Sequence, residues 1–132
     1  MASYTELASV SGSIQNDAFY FTLNVNGTDV PGMIMDTGAF ELTFNGNVAN
    51  QLGLPNLGAI QIGGVGGSAS AYQSVCNLNI GGQTYSNVPC IVDPSFSGAG
   101  LFGLRFFVDN QLALALDTVN QVLLILSPSA SY

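Results

Sequence analysis

Short runs of β-branched and aromatic residues, each ended by glycine, asparagine or proline, recur along the whole chain. Phe19–Val25 and Val30–Met35 are two such runs, and Asn26-Gly27 between them supplies the positive φ angles that a tight hairpin turn requires. The same pattern predicts hairpins around Gly81-Gly82 and around residues 117–120. Because helical periodicity is scarce, we predict an all-β domain built of hairpins.

Two short segments are the exceptions and are predicted to be helical. Asn47–Pro55 begins with an asparagine cap and ends with glycine and proline as stop signals. Leu104–Asp109, which follows Leu101-Phe102-Gly103, is expected to form a second helical turn. Between the two helices, residues 59–75 are predicted to form a hairpin whose tip is nearly all glycine, a backbone that can lie close over a ligand.

The length of 132 residues fits one domain with one core, so we expect residues 1–132 to form a single domain. No apolar stretch approaches the ~20 residues needed to span a bilayer. We therefore expect a soluble domain. No basic and apolar leader opens the chain. Its localisation stays open. An extracytoplasmic location is one alternative, and a domain within a larger chain is another.

The distribution of charge excludes several classes of function. Arg105 is the single cationic residue against eight acidic ones, for a net charge of −7, and nucleic-acid binding needs clustered cations. Repulsion within so acidic a chain decreases as its carboxylates become protonated, which is compatible with activity at low pH. The chain contains no histidine, which excludes Ser-His-Asp and Cys-His hydrolases. Its two cysteines alone do not make a zinc site. We therefore expect no metal and no cofactor, and any catalysis must use carboxylates.

Cys76 and Cys90 leave two alternatives open. They could form a disulfide, but we favour two half-buried thiols on neighbouring strands.

Asp36 is the carboxylate whose position is most unusual. It ends the apolar run Gly32–Met35 and begins the turn Thr37-Gly38-Ala39, so it is predicted to lie at the end of a buried strand. Two facing carboxylates can activate water by sharing one proton, one acting as base and the other as acid. Such a site needs a small hydroxyl residue to hold the loop and a glycine for close approach, and Thr37 and Gly38 supply both.

The run Met33–Ala39 resembles the apolar-apolar-x-Asp-Thr-Gly-Ala signature of the retropepsins, the single-domain aspartic peptidases of retroviruses and their cellular and bacterial relatives. Further along, Ile62-Gly63-Gly64-Val65-Gly66-Gly67 is similar to the flap of the viral enzymes. Leu101-Phe102-Gly103 is similar to the element that precedes their helix. Because an Asp-Thr-Gly alone is common by chance, the resemblance rests on these three motifs occurring in order.

The resemblance implies a retropepsin-like closed β-barrel or sandwich that acts as a homodimer on peptide or protein substrates. It implies that Asp36 is catalytic, with Thr37, Gly38 and Ala39 supporting the catalytic loop. Ile62, Gly63, Gly64, Val65, Gly66 and Gly67 would form the flap and, with Phe40, bind substrate. The chain contains no second Asp-Thr-Gly, so the other carboxylate would come from Asp36 of a symmetry-related copy. Family members commonly join their termini between subunits, which makes Ser3–Leu7 and Val122–Leu126 interface candidates.

Three features depart from the family pattern or leave alternatives. Asp117-Thr118-Val119 lacks the glycine and is interpreted as a hairpin turn, and Phe40 replaces the usual Ser or Asp. Arg105 is hypothesised to pair with Glu41 beneath the catalytic loop, with an exposed, unpaired arginine as the alternative. The functional prediction is an acid-leaning aspartic endopeptidase, and the alternative is an inactive peptide-binding or dimerisation module with the same fold.

Overall fold

The computed structural model describes residues 3–61 and 70–129. These residues form nine strands and two short helices, so the predicted all-β class is confirmed. In chain order the elements are β1 (Tyr4–Gln15), β2 (Ala18–Val25), β3 (Thr28–Met35), β4 (Thr43–Phe44), α1 (Gly46–Leu52), β5 (Tyr72–Ile80), β6 (Gln83–Val92), β7 (Gly100–Phe102), α2 (Arg105–Asp109), β8 (Ala113–Asp117) and β9 (Val122–Pro128).

Six of the strands close into a ring, in the order β2, β3, β7, β4, β6, β5 and back to β2. Two of these contacts, β3 with β7 and β4 with β6, are parallel and join segments far apart in sequence. The predicted closed barrel is therefore present, and closing the ring removes the free edges that an open sheet would expose.

The other three strands extend from this ring as a β1–β9–β8 sheet. Residues 4–11 of β1 pair with β9, whereas residues 12–15 pair with β2. Gly12 lies where β1 passes between these partners, and a Cβ there would come within 2.3 Å of the Tyr20 carbonyl oxygen. A side chain at this position would therefore clash with the neighbouring backbone.

This arrangement corrects the expectation for Val122–Leu126, whereas that for Ser3–Leu7 stays a prediction. Tyr4, Thr5 and Glu6 pair with Pro128, Ser127 and Leu126 of the same chain. Strand β9 also pairs with β8 on its other side. Val122–Leu126 is thus bonded on both edges within one protomer, so the expectation that it joins a sheet between subunits is wrong.

The predicted turns and helices are largely where the sequence indicated. Asn26 and Gly27 have φ angles of 53° and 83°, as the predicted tight turn between β2 and β3 requires. Helix α1 starts earlier than expected because Asn45, rather than Asn47, caps it by accepting a 2.8 Å hydrogen bond from the Val48 N–H. Gly53 ends this helix in the left-handed conformation.

The core is apolar and partly aromatic. Phe102 is fully buried and packs against Phe21, Phe106 and Phe107 at ring-centre distances of 5.9, 5.3 and 5.3 Å. These contacts join β2, β7 and α2 into one packed unit.

Cys76 and Cys90 are free, buried thiols on the neighbouring strands β5 and β6. The favoured alternative of two thiols on neighbouring strands is therefore confirmed, but both are buried rather than half-buried. A hydrogen bond to Cys90 and burial both raise the pKa of the Cys76 thiol, so it stays protonated.

Candidate functional site

Strand β3 delivers Asp36 to the end of the barrel. Met33 and Met35 are buried on either side of the half-exposed Ile34, and the strand runs parallel to β7. The Asp36 N–H continues this pairing by donating a 3.1 Å hydrogen bond to the Phe102 carbonyl. The backbone at Asp36 is therefore fixed by two strands that lie far apart in sequence.

The residues after Asp36 fold into a tight turn that orients its carboxylate. Asp36 Oδ1 accepts a 2.9 Å hydrogen bond from the Gly38 N–H, and the Asp36 carbonyl accepts one of 3.1 Å from the Ala39 N–H. Asp36 itself is half-buried, whereas Thr37 and Gly38 are exposed. The carboxylate is thus held by its own loop and still reaches solvent, as a group that activates water must.

The floor of this loop is the start of α2. The N–H groups of Leu104 and Arg105 donate to the carbonyls of Ala39 and Phe40, at 3.1 and 2.8 Å. Gly103 lies directly beneath, since a Cβ there would come within 2.5 Å of the Phe40 carbonyl oxygen and 2.7 Å of that of Glu41. The Asp36 loop and the turn into α2 therefore pack backbone against backbone.

The predicted ion pair below the loop is confirmed. Arg105 Nη1 lies 3.1 Å from Glu41 Oε1 and 3.2 Å from Oε2, and its Nε lies 3.3 Å from Asp109 Oδ2. Partial burial alone would lower the pKa of Arg105, but the hydrogen bonds and charges of Glu41 and Asp109 outweigh it and raise the pKa. The guanidinium is therefore charged at every working pH and ties α2 to the chain just after Asp36.

Asp117 has a different role, as predicted. Its Oδ1 accepts hydrogen bonds from the N–H groups of Val119 and Asn120, and its Oδ2 accepts one from the Asn120 side chain. The Asn120 hydrogen bonds, backbone first, lower the pKa of Asp117. This carboxylate shapes the β8–β9 turn and takes no part in the site around Asp36.

The structure gathers Asp36, Thr37, Gly38, Ala39 and Phe40 into one loop. Phe40 is 52% exposed, so this loop presents an apolar side chain to solvent. The predicted flap residues, Ile62, Gly63, Gly64, Val65, Gly66 and Gly67, lie outside the described residues.

Next to the loop is a cavity of about 250 Å³ that the sequence did not reveal. Its lining includes both members of the Arg105–Glu41 pair, Ile60 and Ser74. The Ser74 hydroxyl is buried and has no hydrogen-bond partner among the described residues. Nothing in the sequence distinguishes this serine from the other polar residues of an alternating strand.

No group of three or more His, Cys, Asp or Glu side chains in residues 3–61 and 70–129 is placed to hold a metal ion. Over the same residues, no helix has both the length and the apolar character that crossing a membrane would take.

A family model described as aspartyl protease matches residues 21–106, about two thirds of the chain. This span includes the Asp36 loop, Gly103 and the start of α2. A search of the curated proteins found no significant match.

Solved structures with a similar fold include three aspartic proteases or related domains. A retropepsin-like aspartic protease from Rickettsia conorii superposes with a TM-score of 0.68 at 17% identity, covering 99% of this chain and 97% of that one. The EIAV protease complexed with the inhibitor HBY-793 gives 0.62 at 19% identity, covering 79% and 98%. The retroviral protease-like domain of Ddi1 from Leishmania major gives 0.53 at 17% identity, covering 84% and 93%. The fold of this chain is therefore retropepsin-like.

Proposed function

This chain belongs to the aspartyl protease family, and on that premise we propose that it is an aspartic endopeptidase acting as a homodimer. In this proposal a water molecule is held between the Asp36 carboxylates of two protomers and attacks the peptide carbonyl of the substrate.

The observation that carries the proposal is the geometry of Asp36. Its carboxylate ends a buried strand, is oriented by the 2.9 Å hydrogen bond from the Gly38 N–H, and remains half-exposed. Two such groups at contact distance cannot both ionise cheaply, and aspartic proteases are themselves the standard example of this behaviour. One carboxylate then takes a proton from water while the other donates a proton to the substrate carbonyl oxygen.

The second carboxylate must come from another copy, because the sequence contains a single Asp-Thr-Gly. A two-fold axis sets identical residues opposite one another, so two Asp36 loops meeting at an axis would form the pair. The exposed Thr37 and Gly38 are proposed to tie the two loops together and to permit their close approach.

The proposed substrate is an extended peptide segment with apolar side chains near the cleaved bond. Phe40, at the end of the loop and 52% exposed, offers such a side chain an apolar surface. Residues 62–67 are proposed to close over the peptide from the other side, and their glycine content suits close contact with a peptide backbone.

The test is Asp36→Asn, measured by cleavage of a mixed peptide library and by molecular mass in solution. We expect cleavage to fall by at least about a hundredfold while the dimer mass is kept, because the amide can neither take nor give the proton. Asp29→Asn is the matched control, since Asp29 is exposed at the far end of the same strand and should leave cleavage unchanged.

Absence of pepstatin-sensitive cleavage by the wild-type protein between about pH 3 and pH 7 would contradict the proposal. If the peptides still bound under those conditions, the alternative of an inactive peptide-binding module would replace it.

A further inference from the structure

A second cavity, of about 410 Å³, lies between helix α1, the start of β5 and the segment that connects β6 to β7. This volume is within the range of about 300–1,000 Å³ that is usual for small-molecule sites. Its lining includes Asn47, Asn50, Tyr72 and Phe96. It shares no lining residue with the Asp36 loop or with the cavity beside Ser74, so it needs an explanation of its own.

The lining of this cavity is uncharged. None of its described lining residues is acidic or basic, although the chain contains eight acidic residues and one arginine. Asp93, the acidic residue nearest in sequence, accepts hydrogen bonds at Oδ1 from the Ser95 N–H and hydroxyl, at 3.0 and 2.7 Å. A phosphate, carboxylate or ammonium group in the cavity would lose water without gaining an opposite charge. The ligand that fits is therefore neutral.

The polar groups of the cavity have spare hydrogen-bonding capacity. Asn47 and Asn50 are exposed and lie three residues apart, on the same face of α1. Among the described residues, neither side-chain amide has a hydrogen-bond partner, and the hydroxyl groups of Tyr72 and Ser97 have none either. Amides and hydroxyls both donate and accept hydrogen bonds. The matching ligand carries several groups that also do both, as the hydroxyls of a sugar do.

Two aromatic rings add an apolar surface to these polar groups. Tyr72 and Phe96 are half-buried, so part of each side chain is open to the cavity. The face of an aromatic ring is flat, apolar and slightly negative, which suits packing against C–H groups. A sugar ring presents C–H groups on its faces and hydroxyls around its edge. The cavity therefore matches a saccharide in both its polar and its apolar parts.

The two walls of the cavity are fixed to each other before any ligand binds. The Asn45 side chain donates a hydrogen bond to the Gly98 carbonyl, and the Asn45 N–H donates one of 3.0 Å to the Ala99 carbonyl. These bonds join the start of α1 to the segment that contains residues 94–97. Since the walls are already ordered, a ligand loses less of its binding free energy to ordering the site.

We propose that this cavity binds neutral saccharides. Asn47 and Asn50 hydrogen-bond the sugar hydroxyls, and Tyr72 and Phe96 pack against the sugar ring. This binding is separate from the proposed peptide cleavage, because no residue of the Asp36 loop lines the cavity. A free sugar and a glycan attached to a protein share this chemistry, and the experiment below distinguishes them.

The test is titration of the isotope-labelled protein with the methyl glycosides of glucose, galactose, mannose and N-acetylglucosamine, followed by NMR. We expect at least one glycoside to shift the side-chain amide signals of Asn47 and Asn50 together with the backbone signals of residues 94–97. A phosphorylated form of the same sugar should bind at least about tenfold more weakly, since no cation lines the cavity. Equal binding of the two forms would contradict the proposal.

The double substitution Asn47→Ala and Asn50→Ala should raise the dissociation constant of the best glycoside at least about tenfold, because several hydrogen bonds are lost. Asn79→Ala is the matched control. Asn79 is an exposed asparagine on β5 that does not line this cavity, so its substitution should leave sugar binding unchanged. Equal effects of the double substitution and the control would overturn the role given to the two amides.

The wild-type titration also decides the proposal without any variant. Absence of shifts with every glycoside would overturn it, and so would shifts that cluster away from residues 45–50, 72 and 94–97. A nucleoside that shifts these signals where no sugar does would replace the saccharide with a different ligand class. Finally, the best glycoside is compared with a glycopeptide that carries the same sugar. Tighter binding of the glycopeptide would assign the site to glycans on proteins, and equal binding would show that the sugar alone is recognised.

Discussion

Gly103 decides how closely the Asp36 loop and α2 can approach. The nearest atoms to a Cβ at this position are backbone atoms of Phe40 and Glu41, at 2.5 to 2.7 Å, and backbone cannot move aside as a flexible side chain can. The position of the Asp36 carboxylate thus depends on a residue 67 positions away that carries no functional group.

We expect Gly103→Ala to destabilise the fold by about 1–3 kcal/mol. It should also lower peptide cleavage on the order of a hundredfold, because the loop that holds Asp36 must shift. The measurement pairs thermal unfolding with cleavage rates. Gly46→Ala is the control, since a Cβ on Gly46 would make only ordinary contacts with Pro94 at 3.5 Å. Equal effects of the two substitutions would contradict the role given to Gly103.

At the scale of single elements, the β8–β9 hairpin depends on one carboxylate. The Asp117 side chain accepts hydrogen bonds from Val119 and Asn120, and those from Asn120 lead in lowering its pKa. A group whose folded pKa is depressed stabilises the fold above its unfolded pKa and loses that contribution as the pH falls through its folded pKa.

Asp117→Ala should therefore lower the melting temperature at neutral pH, and its effect should become smaller as the pH falls toward about 2 and the wild-type carboxylate loses charge by protonation. Thermal unfolding of both proteins across this pH range gives the comparison. An equal difference in melting temperature at both ends of the range would show that the charge on Asp117 does not matter to the turn.

The elements that the sequence predicted correctly are those with local signals. Asn26-Gly27 and Gly81-Gly82 specify turns by their own φ preferences, so the hairpins around them were predictable. Strand β1 was missed because its alternation uses small residues, with Ala8 and Val10 facing the core and Ser9 and Ser11 facing out. Weakly apolar alternation of this kind resembles a loop until a partner strand covers it.

For the candidate site too, the parts with a local sequence signal were predictable and the parts built from distant segments were not. The Asp36 loop has a local motif, and its resemblance to a known signature identified it. The cavity beside Ser74 is lined by residues from several elements. Likewise, β9 is paired on both edges only because β1 and β8 pack on either side of it. Such features depend on contacts that no short stretch of sequence encodes.

For the whole molecule, net charge opposes the assembly that we propose. Each chain carries −7 at neutral pH, so two copies repel one another, and fewer negative charges remain as the carboxylates protonate. Association should therefore strengthen as the pH falls toward about 4.

We expect the dimer dissociation constant to fall between neutral pH and about pH 4, and also to fall at neutral pH when salt is added. Sedimentation measured across concentration, pH and ionic strength tests both effects. At a fixed pH, cleavage per mole of chain should follow the dimer fraction as salt and concentration are varied. A dissociation constant insensitive to both pH and salt would show that charge does not control the assembly.

The parallel contact between β3 and β7 also has a consequence for biosynthesis. Met33–Met35 must meet Gly100–Phe102 before the Asp36 turn has its full support, and the two segments are separated by half of the chain. Contacts this distant in sequence form slowly, and β7 leaves the ribosome well after β3. A nascent chain would therefore carry its Asp-Thr-Gly without the support of β7 until residues 100–102 have also left the ribosome. On the proposed function, newly made protein would stay proteolytically silent up to that point.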